Sequence, residues 1–327
     1  MSNAESIGPR ERLAVELATE IDLFLGAHPS LLDQKIMTQT VREMREAFAL
    51  FAPFASTPKV TIFGSARVAE HDPLYEQTVA VSRELAAHGW MIVTGAGPGI
   101  MEAGMIGAGR ANSIGVSIRL PHENEPNAVI KEDEKHVAMK YFFTRKLMLV
   151  KAAQGVICLP GGFGTLDELF ELLTLLQTGK GDPVPLVLLD VPGDRYWRQV
   201  SQFIDDQMVT RGLVSPADTA LYKITNDAAE AVHEIRSFYS NYRSMRYVGR
   251  WLYLRLAHDP TAEELEILNR EFGHLVVQGT IEASSPHAAE VRDEDDVHLP
   301  RIRFVFGKHA FGDLRLLINR LNSFHPL

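Results

Sequence analysis

From Lys59 onward, short runs of β-branched and apolar residues alternate with helix-length stretches, and this alternation constrains the chain more than any other feature. The runs cover residues 60–64, 91–95, 114–119, 155–160, 184–190 and 221–225. Helices are predicted between them near 75–87, 101–111, 139–153, 165–177, 196–208 and 228–242. Strands that take turns with helices pair in parallel, because each crossover helix returns the chain to the same end of the sheet. The run 155–160 is apolar almost throughout, as suits a strand covered on both faces. The expected fold is therefore α/β, a Rossmann-like doubly wound parallel sheet, with its ligand crevice at the carboxyl ends of the strands.

Two regions flank this pattern. Residues 1–56 read as a helical N-terminal segment, with Leu13, Leu17, Ile21 and Leu25 recurring four apart and His28-Pro29-Ser30 as a break. Residues 57–246 form the expected Rossmann-like nucleotide-binding catalytic domain. Residues 247–327 read as a small βαββα accessory unit: strands at 251–256, 279–283 and 301–306, with helices at 261–272 and 314–321. The acidic stretch 290–296 within it reads as a solvated loop.

The charge balance narrows the partners. A net charge of −9 argues against general affinity for nucleic acid, which needs an excess of Lys and Arg on one face. No run of about 18 apolar residues is present, and the polar opening Met1-Ser2-Asn3-Ala4-Glu5-Ser6 lacks the basic and apolar regions of a signal peptide. A cytoplasmic protein with no membrane partner is expected. The single cysteine, Cys158, cannot form an internal disulfide and lies in an apolar run, where it reads as a small buried hydrophobe. The histidines show no H-x-x-x-H or H-E-x-x-H spacing, so no metal is expected.

Three strand ends finish in glycine-rich turns, and the crevice rule points all three to one place. They are Gly64-Ser65-Ala66-Arg67, Gly95-Ala96-Gly97-Pro98-Gly99-Ile100-Met101-Glu102, and Pro160-Gly161-Gly162-Phe163-Gly164-Thr165. Glycine lets the backbone approach a ligand closely and offer N–H groups to an anion, and a following helix adds its positive end. The second turn departs from G-x-G-x-x-G at Ile100, and the next strand ends Ile118-Arg119-Leu120-Pro121 without an acidic residue. A dinucleotide cofactor is therefore disfavoured. In the third turn, Thr165 and Glu168 are three apart and share a helical face with Glu171. Two readings stand side by side: a pair of ligand-facing groups, or a capping box that only satisfies backbone N–H groups.

The segment Thr144-Arg145-Lys146, followed by Pro160-Gly161-Gly162-Phe163-Gly164-Thr165-Leu166-Asp167-Glu168, closely resembles the paired Arg-Lys and P-G-G-x-G-T-x-x-E motifs of the Lonely Guy (LOG) family. These are cytokinin riboside 5′-monophosphate phosphoribohydrolases, many once mislabelled lysine decarboxylases. The Gly-Pro-Gly-Ile-Met-Glu form of the second turn is similar to longer bacterial members and related AMP-nucleosidase-like proteins. The resemblance covers roughly residues 59–242, and the family's usual triple glycine is Gly95-Ala96-Gly97 here.

The resemblance implies hydrolysis of the N-glycosidic bond of a purine-type nucleoside 5′-monophosphate, without a cofactor, in a homo-oligomer. It assigns Glu168 as the carboxylate that stabilises positive charge on the sugar and orients water. Arg145 stays protonated, so it hydrogen-bonds and stabilises charge rather than donating a proton. The 5′-phosphate then falls to the N–H groups of Gly161, Gly162, Gly164 and Thr165, with the Thr165 hydroxyl as a further donor. Gly64, Ser65, Arg67, Gly95, Gly97, Gly99 and Glu102 are the remaining candidates for nucleotide contact. Lys146 reads as a salt-bridging or phosphate-steering residue, and nothing marks a pyridoxal phosphate site. Molybdenum-cofactor carrier proteins resemble the family without its hydrolysis, so a non-catalytic binding or carrier protein is the alternative.

Overall fold

The computed structural model describes residues 8–119 and 125–327. The polar opening Met1 to Ser6, and Leu120 and Pro121 at the end of the third predicted strand, lie outside the described residues. The chain divides into two compact units, residues 1–49 and 50–327.

The first unit is helical, as the four-residue spacing predicts. Helix α1 (Pro9–Gly26) opens with proline at its first turn, where a missing N–H costs nothing. Helix α2 (Leu31–Phe51) begins in this unit, and its last two residues, Leu50 and Phe51, belong to the second. Between the two helices His28 takes a positive φ of 52°, which breaks the helical path.

In the second unit, strands and helices alternate as β1 (Lys59–Phe63), α3 (Pro73–Ala87), β2 (Met91–Thr94), α4 (Ile100–Ala108), β3 (Ser113–Ile118) and β4 (His136–Met139). They continue as α5 (Phe142–Lys151), β5 (Gly155–Cys158), α6 (Phe163–Thr178), β6 (Leu186–Leu189), α7 (Tyr196–Phe203), β7 (Lys223–Thr225) and α8 (Ala228–Ser237). The seven strands form one parallel sheet in the order β4-β3-β2-β1-β5-β6-β7. Every residue of β1, β2, β5 and β6 is buried, as expected of strands covered on both faces. Val60, Ile62, Ile92, Ile157 and Val187 of the sheet pack with Val81, Leu85 and Ile235 of the helices.

This order puts the topological switch between β1 and β5. The chain steps outward from β1 to β4, then returns to the other side of β1 for β5. Loops leaving neighbouring strands there run to opposite faces and open a crevice. One strand of this sheet escaped the sequence reading: Met139, predicted as the start of a helix, instead closes β4. Its four residues are too few for alternation to stand out.

A second sheet follows, built from β8 (Tyr242–Val248), β9 (Trp251–Leu256), β10 (Val276–Ala283) and β11 (Arg301–Phe306), antiparallel in the order β10-β11-β9-β8. Helices α9 (Ala262–Phe272), α10 (Ala288–Arg292) and α11 (Phe311–Ser323) complete this part. The expectation of a helix to residue 242 is corrected here. Asn322, distant in sequence, accepts from the N–H groups of Asn241 and Tyr242 at 3.1 and 2.8 Å and donates to the Phe238 carbonyl at 2.6 Å. These bonds end α8 and start β8, a tertiary constraint invisible to local periodicity. The unit therefore has an extra strand before the predicted βαββα run.

This sheet is joined to the parallel one through α8 and α11. Arg315 is buried, donates to Glu234 at 2.5 Å and to the Val184 carbonyl at 3.3 Å, and lies over the Phe238 ring. Phe311 packs so closely on Gly179 that any side chain there would overlap its ring.

The acidic stretch 290–296 is solvated only in part: Asp293, Glu294 and Asp296 are exposed, but Glu290 is turned inward and Asp295 is half-buried. Glu290 is wholly buried against Arg255 and Arg301, with Nη2 of Arg255 at 2.8 Å. Nη1 of Arg301 lies 2.7 Å from the same oxygen, a close charge contact outside hydrogen-bond alignment. Asp295 bonds Arg255 and Arg246, each at 2.6 Å, and Asp293 pairs with Arg246. The arginines come from β8, β9 and β11, so no local window of sequence contains the pairing.

Candidate functional site

At the switch point a cleft of about 710 Å³ opens over the ends of β1 and β5. Its wall includes Gly64, Ser65, Arg67, Gly95, Arg145, Gly161, Gly162, Gly164, Thr165 and Glu168, all singled out from sequence. Phe142, Phe163, Met101 and Asp167 complete much of the rim.

Ser65 ties the three glycine turns together. Its N–H donates to the Pro160 carbonyl at 3.3 Å, its own carbonyl accepts from Ile100 N–H at 3.1 Å, and its hydroxyl accepts from Arg67 N–H at 3.1 Å. Gly99 has a φ of +67°, and a Cβ there would lie 2.5 Å from the Ser65 carbonyl oxygen. Only glycine meets both demands.

The third turn is shaped for an anion. Helix α6 starts at Phe163 with Gly162 as its N-cap, and no side chain caps it. The carbonyls of Pro160, Gly161 and Gly162 are all taken, by Ser65 N–H, by the Tyr196 hydroxyl, and by the N–H groups of Thr165 and Leu166. Among the described residues, the N–H groups of Gly161, Gly162, Phe163 and Gly164 have no partner within the protein. Free N–H groups at a helix N-terminus attract negative charge. Thr165 differs from expectation in one respect, since its N–H is already bonded to Gly162 at 3.1 Å. Its hydroxyl lies over the Gly161 Cα, where a Cβ would come within 2.2 Å of it.

The capping-box reading of Thr165 and Glu168 fails on this geometry. Thr165 is the third residue of α6, not its cap, and Glu168 sits a further turn in. Glu168 is only 6% exposed, and its Oε2 is buried with no hydrogen-bond partner. Burial pushes its pKa up to about 7, against the opposing pull of Lys146 and Arg145.

Arg145, on α5, is held by donation from Nε to the Val116 carbonyl at 3.0 Å. Its guanidinium crosses directly over Gly95, where a Cβ would lie 2.1 Å from Nη2. Glycine at 95 thus makes room for the arginine. Burial lowers the Arg145 pKa and the charge of Glu168 raises it, so the two groups sense one another across the cleft.

Four candidates do not line the cleft. Gly97 lies under the Met101 side chain and Gly99 packs on the Ser65 carbonyl, so both serve the turn. Glu102 faces Tyr75 and Glu70, and burial together with Glu70 raises its pKa. Lys146 is 2.7 Å from Asp167 and 2.5 Å from Glu171; burial opposes its charge, but these partners outweigh it and raise its pKa.

A fourth loop, after β6, escaped the sequence reading. Asp190, the first residue after that strand, is buried, with Oδ2 accepting from Trp197 N–H at 3.3 Å and Oδ1 unpartnered, and burial raises its pKa to about 6. Tyr196, at the start of α7, donates its hydroxyl to the Gly161 carbonyl at 2.7 Å. The available signal was an acidic residue closing an apolar strand just before an aromatic pair.

Residues 98–235 match the family described as possible lysine decarboxylase. A probable cytokinin riboside 5′-monophosphate phosphoribohydrolase of rice is 30% identical over 50% of this chain and 76% of its own length. The chain belongs to the LOG family. A second relative, the pyrimidine/purine nucleotide 5′-monophosphate nucleosidase of Escherichia coli, is 30% identical over 54% of this chain but only 40% of its own length. Among solved structures, the molybdenum cofactor carrier protein of Chlamydomonas reinhardtii is 21% identical, covers 55% of this chain and 96% of that one, and superposes with a TM-score of 0.40. In this LOG-family chain, Arg145 of the first family motif and Gly161 to Glu168 of the second meet at the β1/β5 crevice, while Lys146 pairs with Asp167 and Glu171. Among the described residues, no helix is long and apolar enough to cross a membrane.

Proposed function

We propose that the chain hydrolyses the N-glycosidic bond of a purine-type nucleoside 5′-monophosphate, releasing free base and ribose 5-phosphate. The observation that carries this reading is Glu168: a carboxylate with an unpartnered buried oxygen and a pKa near 7, in the wall of a cleft whose floor is an amide-lined loop. A carboxylate tuned near neutral pH suits proton transfer. Water adds to C1′ as the bond to the base breaks. The base leaves with the bonding electron pair and gains a proton to become the free base. The ionised Glu168 stabilises positive charge on the sugar, takes the proton of the water and gives it up again, to solvent or to the departing base, so that one proton of the water ends on the base and the hydroxyl on C1′. Arg145 keeps its charge at neutral pH and stabilises negative charge as it develops.

The amides of Gly161, Gly162 and Gly164, the Thr165 hydroxyl and the nearby Arg67 supply the 5′-phosphate contacts. The names of the relatives support this substrate class, and the Escherichia coli relative extends it to pyrimidines. The working unit is a homo-oligomer in the cytoplasm. Phe142, Phe143, Leu147 and Phe163 support association, because they expose apolar area beside the cleft, Phe163 to 93%.

Chromatography of AMP incubated with the protein tests the activity. Adenine and ribose 5-phosphate should appear together, with adenosine cleaved far more slowly because it lacks the charge-assisted phosphate contacts. Equal rates on AMP and adenosine would remove the phosphate site, and no adenine from either would remove the activity.

A further inference from the structure

Resting on the reading of residues 160–165 as a phosphate cradle, the geometry points to Tyr196 as a positioning residue that locks the Gly161–Gly162 peptide in its anion-binding orientation. A trans peptide sets its C=O and N–H in opposite directions. With the Gly161 carbonyl held by the Tyr196 hydroxyl, which is not part of the cleft wall, the Gly162 N–H is turned the other way.

The lock is needed because of the residues it acts on. Neither Gly161 nor Gly162 has a Cβ, so the peptide between them can rotate at little steric cost. Rotation would swing a carbonyl oxygen toward the anion and withdraw an N–H. The neighbouring carbonyls, of Pro160 and Gly162, are held by backbone N–H groups; Gly161 alone depends on a side chain.

Tyr196 is mounted rigidly enough to serve. Its ring stands edge-on to Trp197 at 4.8 Å, Trp197 is wholly buried, and Asp190 fixes the Trp197 N–H. The hydroxyl therefore approaches the loop from a fixed point on α7.

The test is Tyr196→Phe, which keeps the ring and removes the hydroxyl. Dissociation constants are measured by titration calorimetry on the full chain, for ribose 5-phosphate in the parent and for AMP and adenosine in a Glu168→Gln background that slows their consumption. Ribose 5-phosphate and AMP should each bind about tenfold more weakly, the loss expected for one hydrogen bond. Adenosine binding and the melting temperature should hold. Tyr222→Phe, which removes a hydroxyl bonded instead to Ser201, should leave all three constants unchanged. The assignment is overturned if Tyr196→Phe binds both phosphates within twofold of the parent, if adenosine weakens equally, or if Tyr222→Phe has the same effect. A parent that binds ribose 5-phosphate but releases no adenine from AMP sinks the activity and leaves this inference standing on its binding data. A parent that binds neither phosphate overturns both.

Discussion

Each of the two sheets buries a glutamate, and the two are treated in opposite ways. Glu290, behind the antiparallel sheet, meets Arg255, Arg301 and the His287 N–H; burial works against its charge, but these partners prevail and hold its pKa below the usual range. Glu168, in the parallel-sheet cleft, has an oxygen with no partner, and burial prevails. A carboxylate whose bonding capacity is used up contributes to the fold. One left short of partners weakens the fold and is free to act on something else.

The largest expected effect concerns the satisfied member. Glu290→Gln leaves buried Arg301 without a carboxylate partner among the described residues and Arg255 dependent on the acids after residue 290, and should cost about 3–5 kcal/mol of stability in urea titration. A loss under about 1 kcal/mol would show that the network is not what holds 290–296 in place.

Next comes the unsatisfied member. Glu168→Gln should fold and bind AMP, yet turn over at least about a hundredfold more slowly, roughly 3 kcal/mol of lost transition-state stabilisation. Turnover within about threefold of the parent would place the catalytic group elsewhere.

The pH dependence sharpens the contrast, because the two shifts carry opposite signs. A carboxylate raised from 4.5 to about 7 binds its proton more tightly when folded, so its contribution to stability declines as pH rises from about 4.5 to 7. Glu168→Gln should therefore gain up to about 3 kcal/mol over the parent above pH 7 and little below pH 4.5. Glu290 has a lowered pKa, so its contribution is present above its unfolded value and is lost as pH falls through the folded one. In the parent, kcat/KM for AMP should fall tenfold per unit below about pH 7, as Glu168 protonates. A profile flat from pH 5 to 8 would contradict a catalytic carboxylate.

Lys146 provides the smallest effect. Its partners Asp167 and Glu171 are substantially exposed, so Lys146→Met should cost about 1 kcal/mol or less in thermal melts. Loss of AMP binding in that variant would return Lys146 to the ligand.

What could be read from sequence was what a short window contains. The turns at Gly64, Gly95 and Gly161 were legible because a glycine requirement is local, and the parallel sheet followed from alternation. The role of Tyr196 depends on β6 lying beside β5, which no window shows. Glu290 resembled a solvated acid because its arginines lie 35 residues before it and 11 after it. Glu102 was drawn toward the cleft by its place in the second turn, whereas α4 carries it round to face Tyr75.

The chain carries one thiol, Cys158, wholly buried at the end of β5 between Phe63 of β1 and Leu188 of β6. A thiol-modifying reagent can reach it only in molecules where these strands have parted, beside the crevice itself. The labelling rate is thus a clock for local opening that needs no added probe. Any small molecule that seats in the closed crevice slows the clock by the factor 1 + [L]/Kd, so candidate nucleotides can be ranked by how long they keep one sulfur unmodified, whether or not they are consumed.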